Sequence, residues 1–311
     1  MSFRFYFLFL TITFLILFYP GSGPYFHIIA FNKNYFFKEH TQPSLQINTI
    51  PLIKAGALPP AVSAQGVYVV DAESLTPLYA KNEKQRFYPA STTKVVTALV
   101  ALDLYDTDDV LTVKIASIEG QLMNLQNGER ITLENLLYGL LVHSGNDAAV
   151  AIANSYGYDR FIDLMNKKAR ELHMNDTTFR NPNGLDDMQQ LTTPYDLTLA
   201  ARELLKNPYL TKIVGTKEIT ISDVDYTVFH HLSNVNKLLG EIRGLGGLKT
   251  GYTEFAGENL VSFYKHEGHD FIIVVMKSND RFADTRTLVD WIITNISYIP
   301  ALETPDTSIT P

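Results

Sequence analysis

The chain has 311 residues, 46% of them hydrophobic and 19% charged, so it can bury the core of one large domain or two modest ones, and disorder is excluded for most of its length. Its formal net charge of -7, with no cluster of Lys or Arg, argues against a nucleic-acid partner, because phosphate binding needs a basic face. Cysteine is absent, which rules out disulfides and thiolate metal sites.

The chain opens with an almost unbroken apolar run, FYFLFLTITFLILFYP from Phe5 to Pro20, preceded by Arg4. A run that is apolar and aromatic on every face at a chain start reads as a membrane-targeting segment rather than a buried core helix. It falls slightly short of the roughly 20 residues a spanning helix needs, although flanking Tyr and Phe extend it. No small-x-small cleavage site follows, and GSGP puts Pro24 where such a site would end, so residues 1–31 are expected to form an uncleaved signal and membrane anchor. Lys33 and Lys38 offset Arg4, which leaves the orientation undecided by charge. Residues 32–59 lose periodicity and run into AGALPPAVSA, the composition of a linker that lifts a domain off a membrane.

GVYVVDAESLTPLYAKN, from Gly66 to Asn82, gives two β-rich runs around a polar turn and predicts a hairpin. In YPASTTKVVTALVALDLY, the apolar residues between Val95 and Leu104 cover most of a helical wheel, so this helix should be central. ITLENLLYGLLVHSG places Leu133, Leu136, Leu137, Leu140 and Leu141 on one face, with Thr132 as N-cap. SGND breaks that helix, and DAAVAIANSYG and YDRFIDLMNKKAREL continue as two more. FRNPNGLDD is a loop with strong turn chemistry, and a further helix starts near Thr193 and Pro194. GLGGLKTGYT, ENLVSFYKHEG and HDFIIVVMKS read as three strands, and FADTRTLVDWIITNIS closes as a helix. Two strands before the helical section and three after it predict one antiparallel sheet completed by both ends of a domain spanning residues 60–298. The fold class is α+β, with a helical subdomain inserted between strands. Residues 299–311, rich in Pro and Thr, are expected to be a disordered tail.

Ser91 and Lys94 head the central helix. A three-residue offset puts them on neighbouring positions of one helical face, so the amine can reach the hydroxyl. A serine hydroxyl is a weak nucleophile until a neighbouring base takes its proton, and a lysine serves as that base only with a lowered pKa. In the first turn, the positive end of the helix dipole and the apolar surroundings both disfavour an ammonium. The spacing alone is weak, since S-x-x-K turns up by chance about once in a few hundred residues, and a capping serine beside a solvated lysine fits it equally. Ser262 and Lys265 share the spacing, but they lie in a predicted strand, where an odd offset sends side chains to opposite faces.

Two further motifs change the weighing. HSGNDA holds the chain's S-x-N triplet, Ser144 to Asn146, in a tight break between helices, and GLKTGYT holds its K-T-G triplet, Lys249 to Gly251, on a strand. In order, context and separation these three motifs resemble those of the serine penicillin-recognising enzymes. Within that group, YPASTTKVVTALVAL, NGERITLENLLYGLLVHSGNDAAVAIA, FRNPNGLDD, TTPYDLTLAARELL and GLGGLKTGYTEFAGENLV resemble the low-molecular-mass D-alanyl-D-alanine carboxypeptidases of peptidase family S11. The likeness runs from about residue 60 to residue 298.

The resemblance implies a β-lactamase/transpeptidase-like fold and removal of the terminal D-alanine from peptidoglycan stem peptides, with no cofactor and no metal. By it, Ser91 attacks the carbonyl between two D-alanines, Lys94 is the acylation base and Ser144 relays a proton to the leaving amine. Asn146 binds the substrate amide and orients Lys94. Lys249 supplies positive field, and Thr250 offers a hydroxyl to the substrate carboxylate. Gly251 lets the substrate approach, and the N–H groups of Ser91 and Tyr252 form the oxyanion hole. Arg281 matches an arginine that fixes the terminal carboxylate, against the alternative of a surface salt bridge. β-Lactams would be covalent inhibitors, and the enzyme would act outside the cytoplasmic membrane, tethered by its N-terminus or secreted if the leader is cleaved. His143, beside the S-x-N serine, reads as a helix-end histidine satisfied by a carbonyl.

Other readings make distinct demands. A β-lactamase needs a deacylating Glu in an E-x-x-L-N loop; Glu171 and Asn175 have that spacing without the leucine, and Glu171 reads as an ordinary helix residue. A zinc peptidase needs clustered ligands, and the histidines of HEGHD and FHHL read as surface residues in a turn and a short polar segment. Endopeptidase and transpeptidase activities share the same site, and a non-catalytic wall-binding homologue is the remaining class.

Overall fold

The computed structural model describes residues 3–18, 50–115 and 118–298. The chain divides into two units, Met1–Asn48 and Thr49–Pro311. In the first, helix α1 spans Phe3–Phe18. Among the described residues no helix is long and apolar enough to cross a membrane. The rest of the expected anchor, most of the linker and the tail 299–311 lie outside the described residues.

In the second unit, strand β1 (Pro51–Ile53) is followed by the predicted hairpin, β2 (Gly66–Asp71) and β3 (Pro77–Lys81). A 3-10 turn, Ala90–Thr93, leads into α2 (Lys94–Leu104), the central helix, and β4 (Val110–Thr112) and β5 (Arg130–Thr132) form a small two-stranded sheet. Helices α3 (Leu133–Leu141), α4 (Asn146–Tyr156), α5 (Tyr158–Glu171), α6 (Pro194–Leu205) and α7 (Pro208–Val214) build the helical insert. The caps follow the sequence chemistry: the Thr132 side chain accepts from the Asn135 N–H, and Thr193 caps α6 with Pro194 in its first turn. The hairpin β6 (Glu218–Ser222) and β7 (Phe229–Ser233) precedes the long strands β8 (Leu245–Thr253), β9 (Gly257–His266) and β10 (His269–Ser278), then α8 (Arg281–Asn295) and β11 (Ile296–Tyr298).

The main sheet has the order β3-β2-β10-β9-β8 and is antiparallel throughout, so strands from before and after the helical insert close it together, as expected. Alternation along the strands sends the two halves of each to different cores. Tyr68, Val70, Ile272 and Val274 join the helical insert, whereas Val67, Val69, Ile273 and Val275 pack with Leu288, Val289 and Ile292 of α8. Helix α2 runs through the larger core with Val95 to Ala101 buried.

Three local features differ from the sequence reading. Within the segment read as a linker, Pro51–Ile53 pairs with Ile296–Tyr298, so both ends of the domain meet in a short antiparallel sheet. The β4–β5 pair was not anticipated, because three-residue strands carry no readable period. FHHL is not a polar surface segment but strand β7, in which His230 points inward and is buried. His266 and His269 do flank the β9–β10 turn.

Candidate active site

Ser91 belongs to the 3-10 turn rather than to the α-helix, and Lys94 is the first residue of α2. The difference helps the geometry, because side chains three apart eclipse in a 3-10 helix. Ser91 Oγ and Lys94 Nζ lie 2.8 Å apart. The turn starts from a strained residue, Ala90 at φ 48, and Gly184 packs against it so closely that an added Cβ would fall 1.9 Å from the Ala90 oxygen. Gly184 itself sits at φ +88, where only glycine is unstrained.

Lys94 is fully buried, yet its nitrogen has three partners. Besides Ser91, it donates to Asn146 Oδ1 at 2.7 Å and to the Asn183 carbonyl at 2.8 Å. Both of these oxygens only accept. A neutral amine therefore spends its two N–H bonds on Asn146 and Asn183, and its lone pair is left facing the Ser91 hydroxyl. The orientation of Asn146 is fixed by its other end, since Nδ2 donates to the Glu119 carbonyl at 2.7 Å. Burial, and after it the charge of Lys249, pushes the Lys94 pKa well below the usual lysine value, with Asp147 opposing.

The S-x-N motif forms the break between α3 and α4, as expected. Ser144 is buried with φ 64, a sparsely populated conformation for a residue with a Cβ. The K-T-G motif lies on β8, the edge strand, next to an irregularity of register between Gly247 and Lys249. Lys249 is 2% exposed and donates to the Thr250 carbonyl at 2.9 Å. Burial and the neighbouring Arg281 lower its pKa to about 7. A Cβ on Gly251 would come within 3.0 Å of the Ser91 nitrogen, so the strand passes directly over the backbone of Ser91.

Ser91, Ser144, Asn146, Thr250, Gly251, Tyr252 and Arg281 all line one cavity of about 290 Å³, and Lys94 and Lys249 are buried beside Ser91 and Thr250. The structure thus gathers all nine expected site residues from four separated segments. Tyr252 is 66% exposed at the end of β8. Arg281 is no surface salt bridge: its Nη1 donates to the Gly251 carbonyl at 2.8 Å, while its buried Nε has no partner among the described residues. A guanidinium with an unused donor beside the cavity is suited to a carboxylate.

Several residues of this site escaped the sequence reading. Asn183 supplies the second acceptor for Lys94, and the Asn-Pro-Asn-Gly turn chemistry around it was the available signal. Gly120 and Gln121 line the cavity from a loop held by Asn146 and Asp147. The Gln121 carbonyl accepts from the Asn146 N–H at 2.7 Å, and both Asp147 oxygens accept backbone N–H groups, from Met123 and from Leu125, at 3.0 Å. Among the described residues His143 is not hydrogen-bonded to a backbone carbonyl; its Nε2 lies 2.9 Å from the Gln121 side-chain amide, and its Nδ1 accepts from the Ser233 N–H at 3.5 Å. Glu171, the last residue of α5, does not line the cavity and pairs with Lys167 and Lys168.

Residues 53–280 match the profile of the peptidase S11 family, D-alanyl-D-alanine carboxypeptidase. The chain is 34% identical over 243 residues to the D-alanyl-D-alanine carboxypeptidase DacF of Bacillus subtilis, covering 74% of this chain and 62% of that protein. It is 31% identical over 286 residues to DacD of Salmonella typhimurium, covering 86% of this chain and 71% of that protein. Among solved structures, the Streptomyces K15 DD-transpeptidase superposes with a TM-score of 0.72 at 30% identity, covering 76% of this chain and 99% of that one. The D-alanyl-D-alanine carboxypeptidase of Mycobacterium tuberculosis H37Rv does so with a TM-score of 0.72 at 30% identity, covering 78% and 96%. With this profile match, these relatives and this fold, the chain belongs to peptidase family S11, the D-alanyl-D-alanine carboxypeptidases.

Proposed function

We propose that the chain is a serine-type D-alanyl-D-alanine carboxypeptidase that removes the terminal D-alanine from peptidoglycan stem peptides through an ester on Ser91. The observation that carries this reading is the Lys94 amine, buried and depressed in pKa, 2.8 Å from the Ser91 hydroxyl with both of its N–H bonds engaged elsewhere.

As the Ser91 oxygen attacks the penultimate D-alanine carbonyl, its proton passes to Lys94. The oxyanion would accept from the N–H groups of Ser91 and Tyr252, a reading supported by the close approach of Gly251 to the Ser91 nitrogen. When the C–N bond breaks, Ser144 relays the proton from Lys94 to the leaving amine. D-Alanine departs and water hydrolyses the ester. Thr250, Lys249 and Arg281 hold the substrate carboxylate, and Asn146 binds the substrate amide while it orients Lys94. A β-lactam would acylate the same serine. The apolar segment at residues 1–31 would tether the enzyme outside the cytoplasmic membrane.

Incubation with diacetyl-Lys-D-Ala-D-Ala should release free D-alanine, and Ser91→Ala should abolish the release. No D-alanine from a folded chain would overturn the carboxypeptidase reading. Transfer of the acyl group to an added amine in place of water would redirect it to a transpeptidase.

A further inference from the structure

Behind the cavity lies a buried ion pair that the proposed chemistry does not use. The side chains of His230, on β7, and Glu129 are 3% and 1% exposed, with His230 Nε2 2.7 Å from Glu129 Oε1. The other ring nitrogen, Nδ1, lies 2.9 Å from the Met123 carbonyl. A carbonyl only accepts, so Nδ1 carries a proton whatever the state of Nε2. Glu129 also accepts from the Gln126 N–H at 2.9 Å through Oε2. Burial opposes the imidazolium, but Glu129, the Met123 carbonyl and Asp147 together outweigh it and hold the His230 pKa above the usual histidine value.

Met123 is where this pair meets the active site. Its carbonyl is on His230, its N–H is on Asp147, and its side chain fills the space left by Gly139, where an added Cβ would fall 2.1 Å from the sulfur. The adjoining residues, Gly120 and Gln121, line the cavity. Asn146 holds this same loop through the Glu119 and Gln121 carbonyls while its Oδ1 accepts from Lys94. The loop is therefore pinned on one side by the start of α4 and on the other by His230 from the β6–β7 hairpin. Slack on the hairpin side would pass through Met123 to Asp147 and Asn146.

We propose that His230 is a positioning residue for acylation: by donating Nδ1–H to the Met123 carbonyl it fixes the loop 119–125 and, through it, the register of Asn146 against Lys94. The inference rests on the reading of Ser91 and Lys94 as nucleophile and base, but it concerns residues that touch no substrate.

Two substitutions separate the ring's two bonds, because an Asn amide nitrogen reaches about where Nδ1 stood and a Gln amide nitrogen about where Nε2 stood. The experiment measures acylation of the full 311-residue chain by a fluorescent penicillin, over a concentration series and well below each variant's unfolding temperature. His230→Gln keeps a partner for Glu129 and leaves Met123 without a donor; its limiting acylation rate should fall about tenfold or more, since small misplacements of reacting groups cost up to about 100-fold. The half-saturating penicillin concentration should stay within about twofold, because the loss falls on the chemical step. His230→Asn restores the donor to Met123 and strands Glu129, so it should unfold at a lower temperature while its limiting acylation rate stays within about threefold of wild type.

The opposite ranking, with His230→Gln acylating like wild type and His230→Asn slow, would overturn the proposal and leave His230 as a partner for Glu129 alone. Should His230→Gln fail to fold, His230→Asn decides, and a tenfold loss of rate there overturns the proposal. Absence of label on the wild-type chain would instead sink the reading of Ser91, a different outcome from either ranking.

Discussion

Lys94 and Lys249 are both buried, 0% and 2% exposed, and the charge on Lys249 adds to burial in depressing the pKa of Lys94. On the proposed reading of Lys94 as the base, acylation needs its neutral amine, so the rate should rise with pH through that depressed pKa. Lys249→Met removes a positive neighbour and should raise the Lys94 pKa, moving the rising limb to higher pH. Penicillin acylation followed from pH 5 to 9 would show it. A limb that stays in place would mean the two amines do not interact.

The second lysine titrates too. With a pKa of about 7, Lys249 loses its charge as pH rises past that value, which on the proposed roles leaves Arg281 as the main cation for the substrate carboxylate. KM for the D-Ala-D-Ala peptide should climb above pH 7. Arg281→Gln should raise KM by about 10-fold to 100-fold, since a hydrogen bond to a charged group contributes about 1.5–3 kcal/mol. Steady-state kinetics on wild type and variant check both, and an unchanged KM in Arg281→Gln would return that arginine to a purely structural role on the Gly251 carbonyl.

Lys249 also makes folding depend on pH. Its pKa is about 7 in the folded chain against 10.5 as the ordinary value, so between those limits the unfolded chain binds more protons. Stability contributed by this group therefore rises with pH across the window and is flat below it. Lys249→Met should be more stable than wild type near pH 7, and the difference should narrow towards pH 9.5. Thermal unfolding at several pH values tests the sign; a difference that widens with pH contradicts it.

Gly184→Ala places a methyl group 1.9 Å from the Ala90 oxygen and forces φ +88 on alanine. The expected result is a loss of more than about 1 kcal/mol of stability together with slower acylation, because the displaced peptide is the one that leads into Ser91. Denaturant unfolding and penicillin labelling of one sample measure both. Wild-type labelling in this variant would show that the turn tolerates the shift.

Much of the fold was legible because its signals are local and strong. The wheel of apolar residues from Val95, the cap at Thr132, the helix start near Thr193 and Pro194, and the three strands β8 to β10 each appear in sequence and structure alike. The strands β1, β4, β5 and β11 were invisible, since three residues hold no period and each is fixed by a distant partner. His230 was misread for a related reason: two adjacent histidines look like surface, and the partners that allow one of them to be buried, Glu129 and the Met123 carbonyl, lie about a hundred residues earlier in the chain. In the site, the three motifs together with the family resemblance named nine residues, Arg281 by the resemblance alone, and the structure brings them together. What they did not reach was the third partner of Lys94, the Asn183 carbonyl, which lies outside the motifs and is marked only by the turn chemistry of Asn-Pro-Asn-Gly around it.

The central claim is that Ser91 is a nucleophile activated by Lys94. Its most direct test is the intact mass of the chain after brief exposure to benzylpenicillin, for wild type, Ser91→Ala and Lys94→Ala. Wild type should gain the mass of one penicilloyl group, mapped by peptide digestion to Ser91. Ser91→Ala should gain nothing, and Lys94→Ala should acylate about 100-fold to 10,000-fold more slowly. A wild-type chain that is folded and stays at its unmodified mass, or a label that persists in Ser91→Ala, would contradict the account.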